Sequence, residues 1–169
     1  MALIPMMIDG LRVHPENFEK IVILRIGSEG EDLYLPFAIG QAEFDALTVR
    51  IKGEGSLIHL SHDLFVSVTS QLGASVNSVI LSDFKQGTFY ARLLLDADRV
   101  HMELDCRPSD ALNIALSANA PMFIEEEVLQ KVGFAESVPY TAKKAKDDLW
   151  HLATTTVEDN SSLYNLRLS

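Results

Sequence analysis

The chain has 169 residues, 47% of them hydrophobic, and a formal net charge of −10. That length suits one domain, which buries roughly 70% of its unfolded surface and needs no staples; the lone Cys106 excludes a disulfide framework and a cysteine zinc cluster. The acid excess disfavours a broad polyanion surface, because binding nucleic acid gains from Lys and Arg neutralising phosphates. A nucleic-acid site here has to be local, or carry metal ions that supply positive charge.

In chain order, Met1 to Met7 is apolar but lacks a basic leader and soon meets Asp9 and Arg12, which reads as a strand and not a signal peptide. No apolar run reaches the ~18 residues of a membrane span. With a free cysteine, this makes a cytoplasmic protein without a membrane partner the expectation. Phe18 to Arg25 and Leu33 to Phe37 are β-rich and flank Gly27-Ser28-Glu29-Gly30, as in a hairpin. Gly40 to Ile51 spaces Phe44, Leu47 and Ile51 helically. Ser61 can cap a second helix with Phe65, Val68 and Leu72 on its inner face and Gly73 as its stop.

Val76 to Leu81 reads as a short strand. Lys85-Gln86-Gly87 and Asp96-Ala97-Asp98 are turns around two further strands, Thr88 to Leu95 and Val100 to Asp105. In the last of these, Val100, Met102 and Leu104 would face the core, and His101, Glu103 and Asp105 a solvated face. Pro108 starts a third helix running to about Ala118, largely buried through Leu112, Ile114, Ala115 and Leu116. Met122 to Ile124 is a strand, and Glu125-Glu126-Glu127 opens a last helix that Gly133 ends. The expected architecture is α+β: one domain over residues 1–134 with a mixed or antiparallel sheet and packed helices, then a weakly structured tail over residues 135–169. In that tail only Trp150 and Leu152 look able to pin the chain or meet a partner.

Sliding the chain by 67 positions brings Arg25 onto Arg92, Leu35 onto Met102, Glu43 onto Asp110 and Leu47 onto Ile114. Each half then reads strand, turn, strand, helix, with one acid in the helix's first turn. Identity is low, so duplication and coincidence both stay open. A duplication would place Glu43 and Asp110 in equivalent positions.

The sharpest chemical segment is Asp105-Cys106-Arg107-Pro108-Ser109-Asp110-Ala111, where a strand hands over to a helix. Helix N-termini present free N–H groups to anions, Arg107 adds a phosphate-matching fork, and Asp105 and Asp110 offer hard oxygen ligands. Leu35-Pro36-Phe37-Ala38-Ile39-Gly40-Gln41-Ala42-Glu43 again sets an acid in a helix's first turn. Leu60-Ser61-His62-Asp63-Leu64 supplies a candidate base or ligand in His62 with Asp63 beside it. Each segment also has a plain structural reading: acids favouring helix starts, Arg107 pairing with an aspartate, and His101, Glu103 and Asp105 on a solvated face near Arg92. The Walker A, G-x-S-x-G, H-E-x-x-H and paired C-x-x-C patterns are all missing, and no stripe of aromatics with Lys or Arg marks a single-strand platform.

Taken together, Leu35-Pro36-x-x-Ile39-Gly40-x-x-Glu43, His62-Asp63-Leu64, Leu72-Gly73, Gly87-Thr88-Phe89-Tyr90-Ala91, Asp105-x-Arg107-Pro108-Ser109-Asp110-Ala111, Ala120-Pro121 and Glu127-Val128-Leu129 resemble the bifunctional nuclease domain. The resemblance spans about Leu33 to Gly133, and the Arg-Pro-Ser-Asp-Ala string is its specific part. It implies an α+β fold, a homodimer, and the cleavage of both RNA and DNA described for some plant members. Those members often carry a further C-terminal module that is not legible after Gly133. Phe37-Ala38 departs from the bulkier Ile-Trp pair frequent in the family, which points to altered packing or an altered pocket wall.

The shared polar positions carried over are Glu43, His62, Asp63, Asp105, Arg107, Ser109 and Asp110. The resulting expectation is a phosphodiesterase of low sequence preference. His62, Asp63 and Asp110 would be catalytic, Arg107 and Ser109 would bind substrate, and Glu43, Asp105 and Asp110 would hold Mg²⁺ or Mn²⁺. The rival is a non-enzymatic, dimeric regulatory module in which the same residues are structural. A nucleic-acid binder that does not cut is a third reading.

Overall fold

A computed structural model describes residues 2–14, 16–27, 33–53 and 60–132. Gly133, Trp150, Leu152 and the rest of the expected tail lie outside the described residues. Three strands open the chain: β1 (Leu3–Val13), β2 (Lys20–Ile26) and β3 (Leu33–Ile39), each antiparallel to the next. Helices α1 (Gln41–Lys52) and α2 (Ser61–Gln71) follow. A second antiparallel set, β4 (Ala74–Lys85), β5 (Thr88–Ala97) and β6 (Val100–Cys106), leads into α3 (Pro108–Ala118), β7 (Met122–Glu125) and α4 (Glu126–Val132). The sheet order is β3-β2-β1-β7-β4-β5-β6, with β7 antiparallel to β1 and parallel to β4. This is the expected α+β domain on a mixed sheet. Among the described residues no helix is long and apolar enough to cross a membrane.

One face of the sheet carries Ile8, Val22, Leu24, Val79, Leu81, Leu93 and Ile124. They form a single core with Phe44 and Leu47 of α1, Leu112 and Ala115 of α3, and Val128 and Leu129 of α4. The period-two alternation of strand side chains sends Arg92, Glu103 and Glu125 to the other face. The bounds of β3 and the start of α1, moved by 67 positions, coincide with those of β6 and α3. Each half of the molecule thus runs from an edge strand straight into a helix.

The sheet is rolled, not flat. Phe37 on β3 and Phe89 on β5 lie five strand spacings apart in the order, which is ~24 Å at the usual spacing. Their ring centroids are 5.4 Å apart. Rolling brings the two edge strands towards each other, and with them the starts of α1 and α3.

Four local expectations change. Leu60, not Ser61, occupies the α2 cap position; the Asp63 carboxylate accepts the Leu60 N–H at 3.2 Å, so the acid at the third helical position closes the helix start. The inner face of α2 runs through Phe65, Val66 and Thr69, which leaves Val68 and Leu72 exposed together with Leu64. Val100 and Leu104 do lie on the helix-facing side of β6, but β6 is an edge strand beyond the helices' reach, and both are exposed. Glu125 belongs to β7 and not to a solvated helix start; it is 3% exposed and paired with Arg92.

Candidate active site

The site is assembled from three helix starts. Gly40 precedes α1 in extended conformation, so the chain turns sharply out of β3 and sets Glu43 in the first helical turn. Arg107 does the same between β6 and α3, where Pro108 takes the first helical position and Asp110 the third. His62 stands in the first turn of α2. Acids at such positions are favoured by the helix dipole and need no other reason to be there. Their convergence is a property of the fold.

Arg107 is the centre of the cluster. Its Nε donates to Asp110 Oδ2 at 2.7 Å, and its Nη2 donates to Asp110 Oδ1 at 2.8 Å and to Glu43 Oε1 at 2.9 Å. His62 Nε2 lies 3.3 Å from Asp110 Oδ1. The Arg107 side chain is 68% exposed while the Glu43 side chain beneath it is 14% exposed, so two sheltered acids present one cation to solvent. Burial pushes the Asp110 carboxyl up, but hydrogen bonds from Arg107 and His62 outweigh it and hold the pKa below the usual carboxylate range. The Asp110 hydrogen bond and the charges of Asp110 and Glu43 raise the Arg107 pKa further. At neutral pH the cluster is an ionised Asp110 beneath a permanently charged Arg107.

The other expected site residues fall differently. Asp63 has its Oδ1 taken by Arg50 Nη1 and Ser117 Oγ, both at 2.6 Å, and its Oδ2 by the Leu60 N–H. It ties α1, α2 and α3 together, and both of its oxygens accept hydrogen bonds from the protein, outside the Arg107 cluster. The His62 Nδ1 atom is buried without a hydrogen-bond partner, and its Nε2 faces Asp110. Asp105 sits on β6 in register with Arg92 and stays out of the Arg107 network. Among the described residues no three His, Cys, Asp or Glu side chains form a group able to hold a metal ion. Glu43, Asp105 and Asp110 therefore do not make the expected three-ligand set. Ser109 is 9% exposed, and its carbonyl accepts from Asn113.

Asn113 is the residue the sequence reading missed. It is fully buried, and its Nδ2 donates to the carbonyls of Glu43 and Ser109 at 3.2 and 3.0 Å, joining α1 to α3 directly behind the site. An amide inside the apolar run Ala111 to Leu116 was the signal. Burial, with the charges of Asp110 and Asp105, pushes the Cys106 thiol up to about 11, which favours the thiol over the nucleophilic thiolate at neutral pH.

Beside Arg107 the seam between β3 and the β5–β6 hairpin opens as a cleft of about 990 Å³. Phe37, Phe84, Phe89 and Tyr90 line it, with Arg107 and Ser109 at the end nearest the carboxylates. Ala38, one of the two positions departing from the family pattern, lies in the wall next to Phe37.

These elements match known proteins. The sequence profile of the bifunctional nuclease domain fits residues 22–137. An uncharacterised protein of Mycobacterium tuberculosis (strain H37Rv) is 36% identical over 124 residues, covering 73% of this chain and 73% of that protein. A protein named Bifunctional nuclease 1 from Oryza sativa subsp. japonica is 22% identical over 126 residues, covering 73% of this chain and 38% of the rice protein. The profile takes in most of the chain, including every residue of the Arg107 cluster, and the chain belongs to the bifunctional nuclease domain family.

Proposed function

We propose that the chain is a nuclease that hydrolyses phosphodiester bonds of RNA, DNA or both with low sequence preference. The observation that carries this reading is the exposed Arg107 guanidinium, held by Glu43 and Asp110 at the mouth of a cleft. An arriving phosphate competes for the same planar fork that now binds Asp110. As Arg107 turns to the phosphate, Asp110 is released from its strongest hydrogen bonds and is left facing the substrate, with His62 fixing its orientation. Asp110 then holds a water in line with phosphorus. The water oxygen bonds to phosphorus, the bond to the leaving oxygen breaks, the water's proton passes to the carboxylate, and the leaving oxygen takes a proton from solvent. Arg107 stabilises the charge that builds on the phosphoryl oxygens.

The two-carboxylate pair suits a divalent cation that arrives with the substrate, since Mg²⁺ is commonly bound by one or two carboxylates plus substrate phosphates. Held by Glu43 and Asp110, Mg²⁺ or Mn²⁺ would screen the phosphate and lower the pKa of bound water. A homodimer and a cytoplasmic setting belong to the same reading; sedimentation equilibrium at twice the chain's 18.7 kDa would support the first.

The test is a cleavage assay on fluorescent single-stranded RNA and DNA with Mn²⁺, Mg²⁺ or EDTA, comparing wild type with Asp110→Asn and Arg107→Ala. Product that appears with wild type and falls about a hundredfold or more in both variants supports the reading. Equal product from all three proteins points to a contaminant and sinks it. The second reading, a regulatory module, is favoured by one observation: Asp63, Asn113 and Arg107 all tie helices together. Absence of product under every condition, with the fold intact, selects it.

A further inference from the structure

The cleft beside Arg107 is walled by side chains that the mechanism above does not use. Phe89 packs against Phe84 with centroids 4.6 Å apart and against Phe37 at 5.4 Å, so three rings from three strands form one aromatic wall. Tyr90 alternates with Phe89 to the outer face of β5, where it is 48% exposed at the rim of the same opening, and Lys85, paired with Asp83, holds its ammonium 5.7 Å from the Tyr90 ring centroid. These residues are scattered between positions 37 and 90, which is why the sequence shows no stripe; the rolled sheet gathers them. A volume near 990 Å³ is in the range of sites that enclose a small planar ligand, roughly 300–1,000 Å³.

The charge of the cleft narrows the ligand. Arg107 is the one cation among the described residues that line it, and Glu19 and Asp105 face it with two acids. A run of phosphates is repelled there, whereas a neutral ring with polar edges is not. Aromatic walls stack on any base face, and carboxylates accept from exocyclic amines. Resting on the nuclease reading, we propose that this cleft receives one unstacked base of single-stranded RNA or DNA, setting the adjoining phosphodiester at Arg107 and Asp110. Base pairs in a duplex keep their faces stacked and cannot enter. Affinity then comes from stacking, with one or two phosphates engaged by Arg107 and Lys85. Its salt dependence is therefore shallow, a log–log slope of about 0.7 to 1.4 for a single strand.

The test uses the full chain and a short DNA strand with 2-aminopurine at its centre, whose fluorescence falls when the base is stacked. Its counterparts are the RNA strand, a duplex and a strand of the same backbone without bases. Tyr90→Ala removes an exposed ring outside the core, and Tyr90→Phe restores the ring without the hydroxyl. Expected are quenching on binding, tighter binding of both single strands than of the duplex or the base-free backbone, and a loss of roughly tenfold or more in Tyr90→Ala. Tyr90→Phe should bind like wild type. A base-free backbone bound as tightly as the normal strand, a steep salt slope, or unchanged affinity in folded Tyr90→Ala would overturn the proposal. Cleavage measured on the same strands separates the two ideas. Cutting without base dependence removes the base pocket and leaves the nuclease; base-dependent binding without cutting does the reverse.

Discussion

A Cβ at Gly40 would stand 2.3 Å from Glu43 Oε2, so the missing side chain is what lets Glu43 fold back over its own helix start and reach Arg107. The backbone at Gly40 is ordinary extended geometry, so strain plays no part. Gly40→Ala should therefore cost under about 1 kcal/mol of stability, because the obstructed atom ends a flexible side chain and can move. The proposed nuclease activity should fall roughly ten- to a hundredfold, since the carboxylate moves off the guanidinium it positions. Thermal melts and cleavage rates on the one variant check this; equal losses in both, or neither, would count against it. Arg107→Lys should also leave the melt unchanged within about 1 kcal/mol, as befits an exposed pair. It should lose most of the activity, because an ammonium cannot present the planar fork. At this scale much was legible. The Arg-Pro-Ser-Asp-Ala string and the glycine three residues before Glu43 marked both helix starts. That His62 faces Asp110 while its neighbour Asp63 turns towards Arg50 was not, since both read as first-turn residues.

At the scale of elements, Asp63 joins three helices through Arg50, Ser117 and the start of its own helix. Burial raises its pKa, and the hydrogen bonds from Arg50, Ser117 and Leu60 together bring it below the ordinary 3.8. The unfolded carboxyl therefore takes up a proton before the folded one does. Its contribution to stability is complete above about pH 5 and is lost as pH falls through the folded pKa. Asp63→Asn should destabilise by about 2 kcal/mol at pH 7, less than the ~3–5 of a fully buried pair because a third of the Asp63 side chain is exposed. That difference should shrink when urea unfolding is repeated near pH 3, and a constant difference would show that the charge is not what matters. Most element bounds were legible. Pro108 and Gly73 fixed helix ends, and Gln86-Gly87, both at positive φ, fixed a hairpin. The α2 face was misread because Val68 and Leu72 have the right spacing but the wrong phase. Thr69 takes the buried position, its hydroxyl satisfied by the Phe65 carbonyl at 2.8 Å.

The whole molecule depends on a junction that local patterns do not display. In the sheet's hydrogen-bonding order, two three-stranded sets are joined by β7, four residues long, paired with Leu3–Met6 on one side and Val79–Leu81 on the other. Alternation predicts each strand, but the order of strands and the roll of the sheet follow from contacts between distant residues. Hence the aromatic cleft and the Glu43–Arg107 contact could not be read from spacing. On the outer face Arg92 of β5 reaches over β4 to Glu125 of β7 and sideways to Glu103 of β6, fastening the short strand to the second set. Glu125 is 3% exposed, and that guanidinium is its ion-pair partner. Arg92→Met should cost about 3–5 kcal/mol, because it strands a buried carboxylate. Adding Glu125→Leu should recover most of the loss, since an apolar pair replaces the ions without leaving either alone. Chemical denaturation of the wild type, both single variants and the double variant completes the cycle. Losses that simply add would mean that the pair does not hold β7 to the second set, and that the junction rests on strand pairing and core packing alone.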